Sequence, residues 1–454
     1  MSNSSPRITL IGAGLNGPLL AIALAKRGFG VDLYERRSDM RRASMSAGRS
    51  INLAVSARGI HALQQVGLWD SMRAIVTPMK GRMMHSVAGE LTFQPYGKDD
   101  NEVIYSISRR DLNIALLTAA ESAGVRIHFN QRCTGYDART GTVRIKDEET
   151  RREQELTSDV TIGCDGSASA LRMEMLKRPR FNYSQQSLDY GYKELTIPAS
   201  PSGQHRIERN ALHIWPRGSF MLIALPNLDG TFACIFFLPF EGNPSFASLS
   251  GRNDVVSCFE SQFPDALALM PGLADNFFAN PTGTMVTVKC APWHIEGKVL
   301  LLGDSAHAIV PFFGQGINCG FEDCMMLVNL VDRHGPVWAN VFEEFERIRK
   351  PNTDAIAEMA IENFVEMRDR VGHPAFLLRK KVELALETRY PGIFVPKYAM
   401  VTFHRVPYSV AQARGTLQDE MLDRLCGSLQ RVDDLDWSQA DVLIRELSPL
   451  EQAL

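Results

Sequence analysis

Three carboxylates in this chain each follow a short apolar run and sit among glycines. Glu35 ends the run Val31–Tyr34, 18 residues past the last glycine of Gly12-Ala-Gly14-Leu-Asn-Gly17. Asp165 comes after Asp-Val-Thr-Ile-Gly-Cys and before Gly166, and Asp304 follows Gly303 after the apolar run Val299–Leu302. A carboxylate at a strand end accepts hydrogen bonds from sugar hydroxyls. Glycines such as Gly314 and Gly316 let backbone approach a ligand without a Cβ clash. A helix start beside them offers free N–H groups and the positive end of a dipole. Together these groups suit an anionic nucleotide cofactor, including one whose ring gains negative charge on reduction. In the first motif Gly12 makes the tight turn, Gly14 admits a pyrophosphate, Gly17 permits close helix–strand packing, and Glu35 stands where a ribose-holding acid belongs. The glycine pattern alone does not separate FAD from NAD. The second acidic turn exceeds what one dinucleotide site needs for its phosphates and suits a longer cofactor.

The elements that must position these groups are legible around them. Arg7–Ile11 reads as a strand, Pro18–Arg27 as a helix and Val31–Tyr34 as a second strand, a βαβ start. Ile104–Ser108 reads as a strand, Arg109 opens the helix Asp111–Ala123, and Val125–Phe129 is the next parallel strand. Val299–Leu302 is a buried strand that leads through a Gly/Pro loop into a helix starting near Ile317. Between Arg180 and Met285 the runs Tyr190–Ile197, Leu212–Trp215, Ser219–Leu225 and Thr231–Leu238 have strand length, with turns at Pro216–Gly218 and Asn227–Gly230. Helices follow at Phe321–Asp332, Trp338–Arg349 and Asn352–Arg370. The expected fold is α/β: a Rossmann-like FAD-binding domain, discontinuous over residues 1–180 and 285–350, an inserted, mostly antiparallel substrate-binding sheet over 181–284, and a C-terminal helical region over 351–454.

Other polar residues carry two readings each. Arg82 suits a substrate carboxylate or an ordinary surface position. His85 reads as packing. Asn363 falls in an apolar stripe with Ile356, Met359, Ala360, Phe364 and Met367. A buried amide needs partners, so Asn363 contacts a ligand or makes a structural hydrogen bond. Arg49, Ser50 and Asn52 sit at the edge of an apolar strand, either as site residues or as a polar lead-in.

At 454 residues the chain is long for a single core. Its 45% hydrophobic and 22% charged content is that of a globular protein, and a net charge of −3 implies no general pull toward nucleic acid or anionic membrane. The eight cysteines show neither Cys-x-x-Cys nor zinc spacing, and several sit in apolar surroundings as small hydrophobes. A reducing compartment, the cytoplasm, is expected. No signal peptide and no apolar window of roughly 18 residues is evident.

The three anchors, GxGxxG with Glu35, Asp165-Gly166 and Gly303-Asp304, resemble the hallmark motifs of the single-component flavoprotein aromatic hydroxylases. Longer strings narrow the resemblance to the kynurenine 3-monooxygenase family: GRSINLAVSARG (Gly48–Gly59), KRPRFNYSQQ (Lys177–Gln186), GYKELTIP (Gly191–Pro198), LHIWPRG (Leu212–Gly218), GDSAHAIVPFFGQGIN (Gly303–Asn318) and MVTF (Met400–Phe403). It runs from about residue 7 to about residue 415 and favours the soluble bacterial members, since the animal members carry a C-terminal membrane segment. The resemblance implies FAD held by Gly12, Gly14, Asn16, Gly17, Glu35, Arg36, Ala54, Arg109, Asp304, Gly316, Ile317 and Asn318. Cys133 stands where the family usually has Leu, as a backbone contact. It also implies Arg82 and Tyr96 on a substrate carboxylate, with Asn363 and Tyr398 on the same side of the pocket. NADPH would reduce the flavin without a Rossmann domain of its own. The reduced flavin and O2 would form a C4a-hydroperoxide that hydroxylates L-kynurenine to 3-hydroxy-L-kynurenine in tryptophan catabolism. The chemistry is borne by the flavin, so no protein acid, base or metal is expected, and the chain would act as a monomer or dimer. Rival readings are another aromatic acid on the same scaffold, a flavin halogenase, an NAD-dependent dehydrogenase and a flavin-bound sensor. The halogenase reading lacks its WxWxIP-like string, and the dehydrogenase leaves the two later acidic turns unexplained.

Overall fold

The computed structural model describes residues 7–42, 52–99, 101–370, 374–427 and 429–450. Arg49 and Ser50 lie outside the described residues. The chain divides into two compact units. One takes the chain up to Ile75, Ile107–Ser187 and Val286–Ala357; the other takes Val76–Ser106, Leu188–Met285 and Glu358–Leu454. Residues 76–106 and the C-terminal helices therefore group with the inserted sheet.

The first unit is built on a six-stranded sheet in the order His294–Ile295, Val299–Leu301, Val160–Gly163, Arg7–Ile11, Gly30–Tyr34, Arg126–His128. All pairs are parallel except the first. Ile8 lies beside both Val160 and Val31, and Leu10 beside both Ile162 and Leu33. These runs are apolar on both faces because helices cover a parallel sheet. The crossover helix Asn16–Ala25 is apolar almost all round and buries every residue from Gly17 to Leu24, leaving only its two end residues half-buried. Helices Arg109–Ser122 and Gly316–His334 belong to the same unit, as does the antiparallel trio Gln131–Asp137, Thr142–Asp147 and Glu153–Thr157.

In the second unit the strands run in the order Asn182–Ile197, Phe232–Pro239, Met221–Pro226, Ala211–Pro216, Gly81–His85, Leu91–Pro95. Every pair is antiparallel except Ala211–Pro216 with Gly81–His85, where Ala211 lies beside Gly81 and Ile214 beside Met84. Trp215, Leu222, Phe232, Phe236 and Leu238 pack with Val255, Phe259 and Phe263 of the covering helices. A separate core joins Val382, Leu386, Phe394, Met421 and Leu422 of the C-terminal helices.

The chain departs from the sequence expectation at Pro351. Two helices were expected, broken before Asn352; instead Trp338–Val365 is one helix with Pro351 inside it, followed by a π-helical turn at Glu366–Arg370. Proline removes one intrahelical donor. The side chains beside it take up carbonyls, with Asn352 Nδ2 donating to Ile348 O at 2.8 Å and Thr353 Oγ1 to Lys350 O at 3.1 Å. Among the described residues no helix is long and apolar enough to cross a membrane. All eight cysteines are free thiols; six are buried and Cys258 and Cys426 are half-buried.

Candidate active site

In the first unit the glycine loop and the two acidic turns meet. Gly12 adopts φ +100° and donates its N–H to Tyr34 O at 2.8 Å. A Cβ there would lie 2.4 Å from Cys164 O and 2.8 Å from Asp165 Cα, so the loop rests directly on the Asp165 turn. A Cβ on Gly14 would meet nothing within 4 Å, which leaves an open face, and one on Gly17 would lie 2.0 Å from Gly12 O. Glu35 is buried at the end of its strand. Its Oε2 accepts from Ala13 N at 2.8 Å, and its Oε1 accepts from Arg37 N and Nε at 2.9 and 2.7 Å. Burial pushes this carboxyl up, but Arg37 outweighs it and holds it below its usual value. Arg36 stands exposed beside this pair. Asn113 Nδ2 donates to the Ala13 and Gly14 carbonyls, while its Oδ1 is buried without a partner among the described residues.

Asp165 Oδ2 accepts from Ala170 N at 2.7 Å, and its Oδ1 is buried and unpartnered among the described residues. Burial raises its pKa. Cys133 is buried within reach of this charge, and its thiol is pushed up to about 12, first by burial. Arg172 ties the two acidic turns together, with Nη1 donating to Ser305 O at 2.7 Å and Nη2 to Ser167 O. Asp304 is pushed up by desolvation and drawn back by His307 and Arg109. Asn16 lies where side chains on Gly303 and Gly320 would stand. Asn318 is wholly buried and fastens three segments: Nδ2 donates to Ala54 O and Gly314 O, both at 2.8 Å, and Oδ1 accepts from Ser56 N at 2.9 Å. The 19-residue helix opens at Gly316, where a Cβ would meet nothing within 4 Å, and Ile317 follows it. Ala54, Ile317 and Asn318 thus gather at a helix N-terminus, and Arg109 gathers with Asp304. Arg37 and Asn113 were not singled out from sequence. The only cue to Asn113 is an amide on the buried side of Arg109–Ser122.

The second unit holds a buried cationic cluster. Arg82 is buried on the strand Gly81–His85. Its Cζ lies 4.8 Å from the Tyr398 ring centroid and 5.7 Å from that of Tyr96. These two rings stack at 5.6 Å and 12°. Burial opposes the guanidinium charge, yet Tyr398, Tyr96 and Glu366 outweigh it and raise its pKa. Arg82 Nε has no hydrogen-bond partner among the described residues. Burial, joined by Tyr398, pushes the Tyr96 phenol up, so it remains a neutral donor. Asn363 is buried, with Nδ2 toward Met367 Sδ at 3.4 Å.

His85 is packed, as expected. Its Nδ1 meets Asp265 Oδ2 at 2.7 Å, its Nε2 meets His213 Nδ1 at 2.8 Å, and its ring stacks on Trp215. Burial holds His213 down to about 4.

Glu387, on the helix Pro374–Arg389, is buried with Oε1 unpartnered among the described residues. Burial first, then the charge of Glu102, pushes it up to about 7. A carboxyl raised in the fold gives stability that is full below its unfolded value and is lost as pH climbs through 7. Glu387→Gln is therefore expected to raise the melting temperature at pH 8 by about 2–4 °C, from about 1 kcal/mol. The gain should shrink at pH 5 and vanish below about pH 4, and calorimetry across these pH values checks it.

A family model described as an FAD binding domain matches residues 7–236 and 273–333. A kynurenine 3-monooxygenase of Myxococcus xanthus is 54% identical over 96% of this chain and 94% of its own. One of Xanthomonas oryzae pv. oryzae is 46% identical over 100% of both. Among solved structures, the tetrameric form of 2-methyl-3-hydroxypyridine-5-carboxylic acid oxygenase superposes with a TM-score of 0.67 at 20% identity, over 83% of this chain and 96% of that one. PqsL of P. aeruginosa gives 0.65 at 17% identity, over 81% and 98%. These two show the shared fold. The chain belongs to the kynurenine 3-monooxygenase family of FAD-dependent monooxygenases.

Proposed function

We propose that this chain hydroxylates L-kynurenine to 3-hydroxy-L-kynurenine, with NADPH and O2 as co-substrates. The observation that carries the substrate reading is Arg82: a buried guanidinium beside a stacked pair of tyrosines, with an Nε–H that no described residue accepts. An amino-acid carboxylate is the group that suits it, because a planar fork binds a carboxylate through two parallel hydrogen bonds. The Tyr96 and Tyr398 hydroxyls would complete the set, and Asn363 would lie toward the same ligand. A substrate held by its amino-acid end leaves its aromatic amine free to activate the ring carbon beside it.

Bound FAD would take electrons from NADPH and activate O2. This chain's residues would hold it. Backbone N–H groups of Gly12–Gly17 would face the diphosphate, and Glu35, with acceptor capacity left beyond Ala13 and Arg37, a ribose hydroxyl. Arg109 and Asp304 would hold the chain of hydroxyls, and the helix start at Gly316, Ile317 and Asn318 would favour negative charge on the reduced ring. The orphaned Asp165 Oδ1 and the open faces at Gly14 and Gly316 fit such a guest. Asn318 would act through the backbone, its side chain being fully engaged. Cys133 would contribute packing, and Arg36 its surface charge. NADPH would dock transiently, and eight free thiols suit the cytoplasm.

The test is NADPH oxidation by the purified yellow protein with and without L-kynurenine, followed by product mass. Faster oxidation with a product heavier by one oxygen is expected. Faster oxidation that yields only hydrogen peroxide would make L-kynurenine an effector and another aromatic acid the substrate. No acceleration would overturn the substrate reading.

A further inference from the structure

The turn that carries Asp304 is held from behind. Asp323, on the helix Gly316–His334, is fully buried, so a guest in the cradle does not reach it. Its Oδ2 accepts from Gly303 N at 3.2 Å and meets His307 Nε2 at 2.6 Å. One carboxylate oxygen thereby clasps both ends of the segment Gly303–His307. Its Oδ1 accepts from Arg349 Nε at 2.6 Å. Arg349 comes from the helix Trp338–Val365 and is also buried. Its Nη1 donates to Glu322 Oε2 at 2.6 Å, and its Nη2 reaches Cys319 O at 3.4 Å and Sγ at 3.5 Å. Glu322 also pairs with Arg58.

His307, Cys319 and Asp323 place three ligand-type atoms within 4.8 Å of one another, a pattern that invites a metal reading. The guanidinium of Arg349 already donates to Asp323 and reaches Cys319, so the required positive charge is present as a side chain. Burying Asp323 and two arginines beside half-buried Glu322 costs desolvation, and such a network adds little net stability over apolar packing. What it does secure is geometry. Gly303 sits at φ +65°, a conformation that glycine does not enforce by itself.

We propose that Asp323 and Arg349 are positioning residues for FAD. They set the Gly303-Asp304 turn, and so the placement of Asp304, without touching the cofactor. Asp323 holds the turn directly, and Arg349 fixes the carboxylate of Asp323.

The experiment measures FAD binding to apoprotein by quenching of flavin fluorescence, together with the apoprotein melting temperature, for Arg349→Lys, Arg349→Met and Asp323→Asn. Val341→Ala, a buried cavity variant about two turns before Arg349 on the same helix, serves as the control for general destabilisation. Arg349→Lys keeps the charge but loses the planar fork, and it is expected to weaken FAD binding at least tenfold. Val341→Ala should lower the melting temperature at least as far and leave FAD binding within twofold. Equal loss of FAD in both, or wild-type binding by Arg349→Lys, would overturn the proposal. Should Arg349→Met or Asp323→Asn fail to fold, the lysine variant still decides. The assay contains no L-kynurenine, so its outcome is independent of the substrate reading.

Discussion

Arg82→Ala is expected to raise the KM for L-kynurenine by about two to three orders of magnitude while the protein still purifies with its FAD. Truncating one partner of a buried, hydrogen-bonded charge pair costs about 2–5 kcal/mol, with tenfold in affinity for each 1.4 kcal/mol. Arg82 is buried, so the carboxylate it would bind has little water to fall back on. Tyr96 and Tyr398 keep their stacking partner in each other. Arg82→Lys should recover only part of the loss, because a lysine offers a point charge where the site is shaped for a fork. Steady-state kinetics with flavin content measured on the same samples decides the matter. An unchanged KM with lost flavin would move Arg82 out of the substrate pocket.

Gly12→Ala is expected to yield protein without bound flavin. Two effects add. Alanine at φ +100° is strained by about 1–3 kcal/mol. Its Cβ would also enter to 2.4 Å from Cys164 O and 2.8 Å from Asp165 Cα, and these are backbone atoms that cannot swing aside as a side chain does. The glycine loop must then lift off the Asp165 turn, which would open the Glu35–Ala13 hydrogen bond as well. Gly30→Ala, at the exposed start of the second strand and outside the glycine loop, is the matched control for adding one methyl, since its Cβ meets no protein atom. The flavin absorbance of the purified variants reads the result. A yellow Gly12→Ala protein with wild-type absorbance would show that the loop tolerates the shift.

What the sequence made legible was local. Gly12, Gly14, Gly17 and Glu35 stand within one βαβ unit, where spacing alone dictates the geometry. The strand ahead of Gly303-Asp304 and the helix behind it were evident from apolar runs and glycines, and that helix starts at Gly316. The strands of the inserted sheet were readable one by one. The single parallel pair between Ala211–Pro216 and Gly81–His85 was not, because strand partners are chosen by packing. Arg82, Tyr96 and Tyr398 come from two distant parts of the chain, and only the fold brings them side by side. Asn113, Asp323 and Arg349 were missed for the same reason. Each takes its meaning from a partner that spacing does not reveal. Pro351 misled in the other direction: a local rule for ending helices failed where the helix runs on to Val365.

The burial of the cysteines bears on how long such an enzyme survives its own chemistry. A flavin that activates O2 releases some hydrogen peroxide, and peroxide attacks thiolates far faster than thiols. Burial pushes Cys133 and Cys290 up to about 12 and raises Cys164, Cys234, Cys319 and Cys324 as well. A thiol near 12 is ionised to only about one part in 10⁵ at pH 7, against a few per cent for an ordinary one. Cys164, one residue before Asp165, and Cys319, in the first turn of the helix that begins at Gly316, thus stand beside the proposed flavin cradle with their thiols held protonated. Burial raises Cys258 and Cys426 too, but both are only half-buried, so wear would begin at these two, in the second unit. Packing that serves the core therefore also sets the order in which the protein ages.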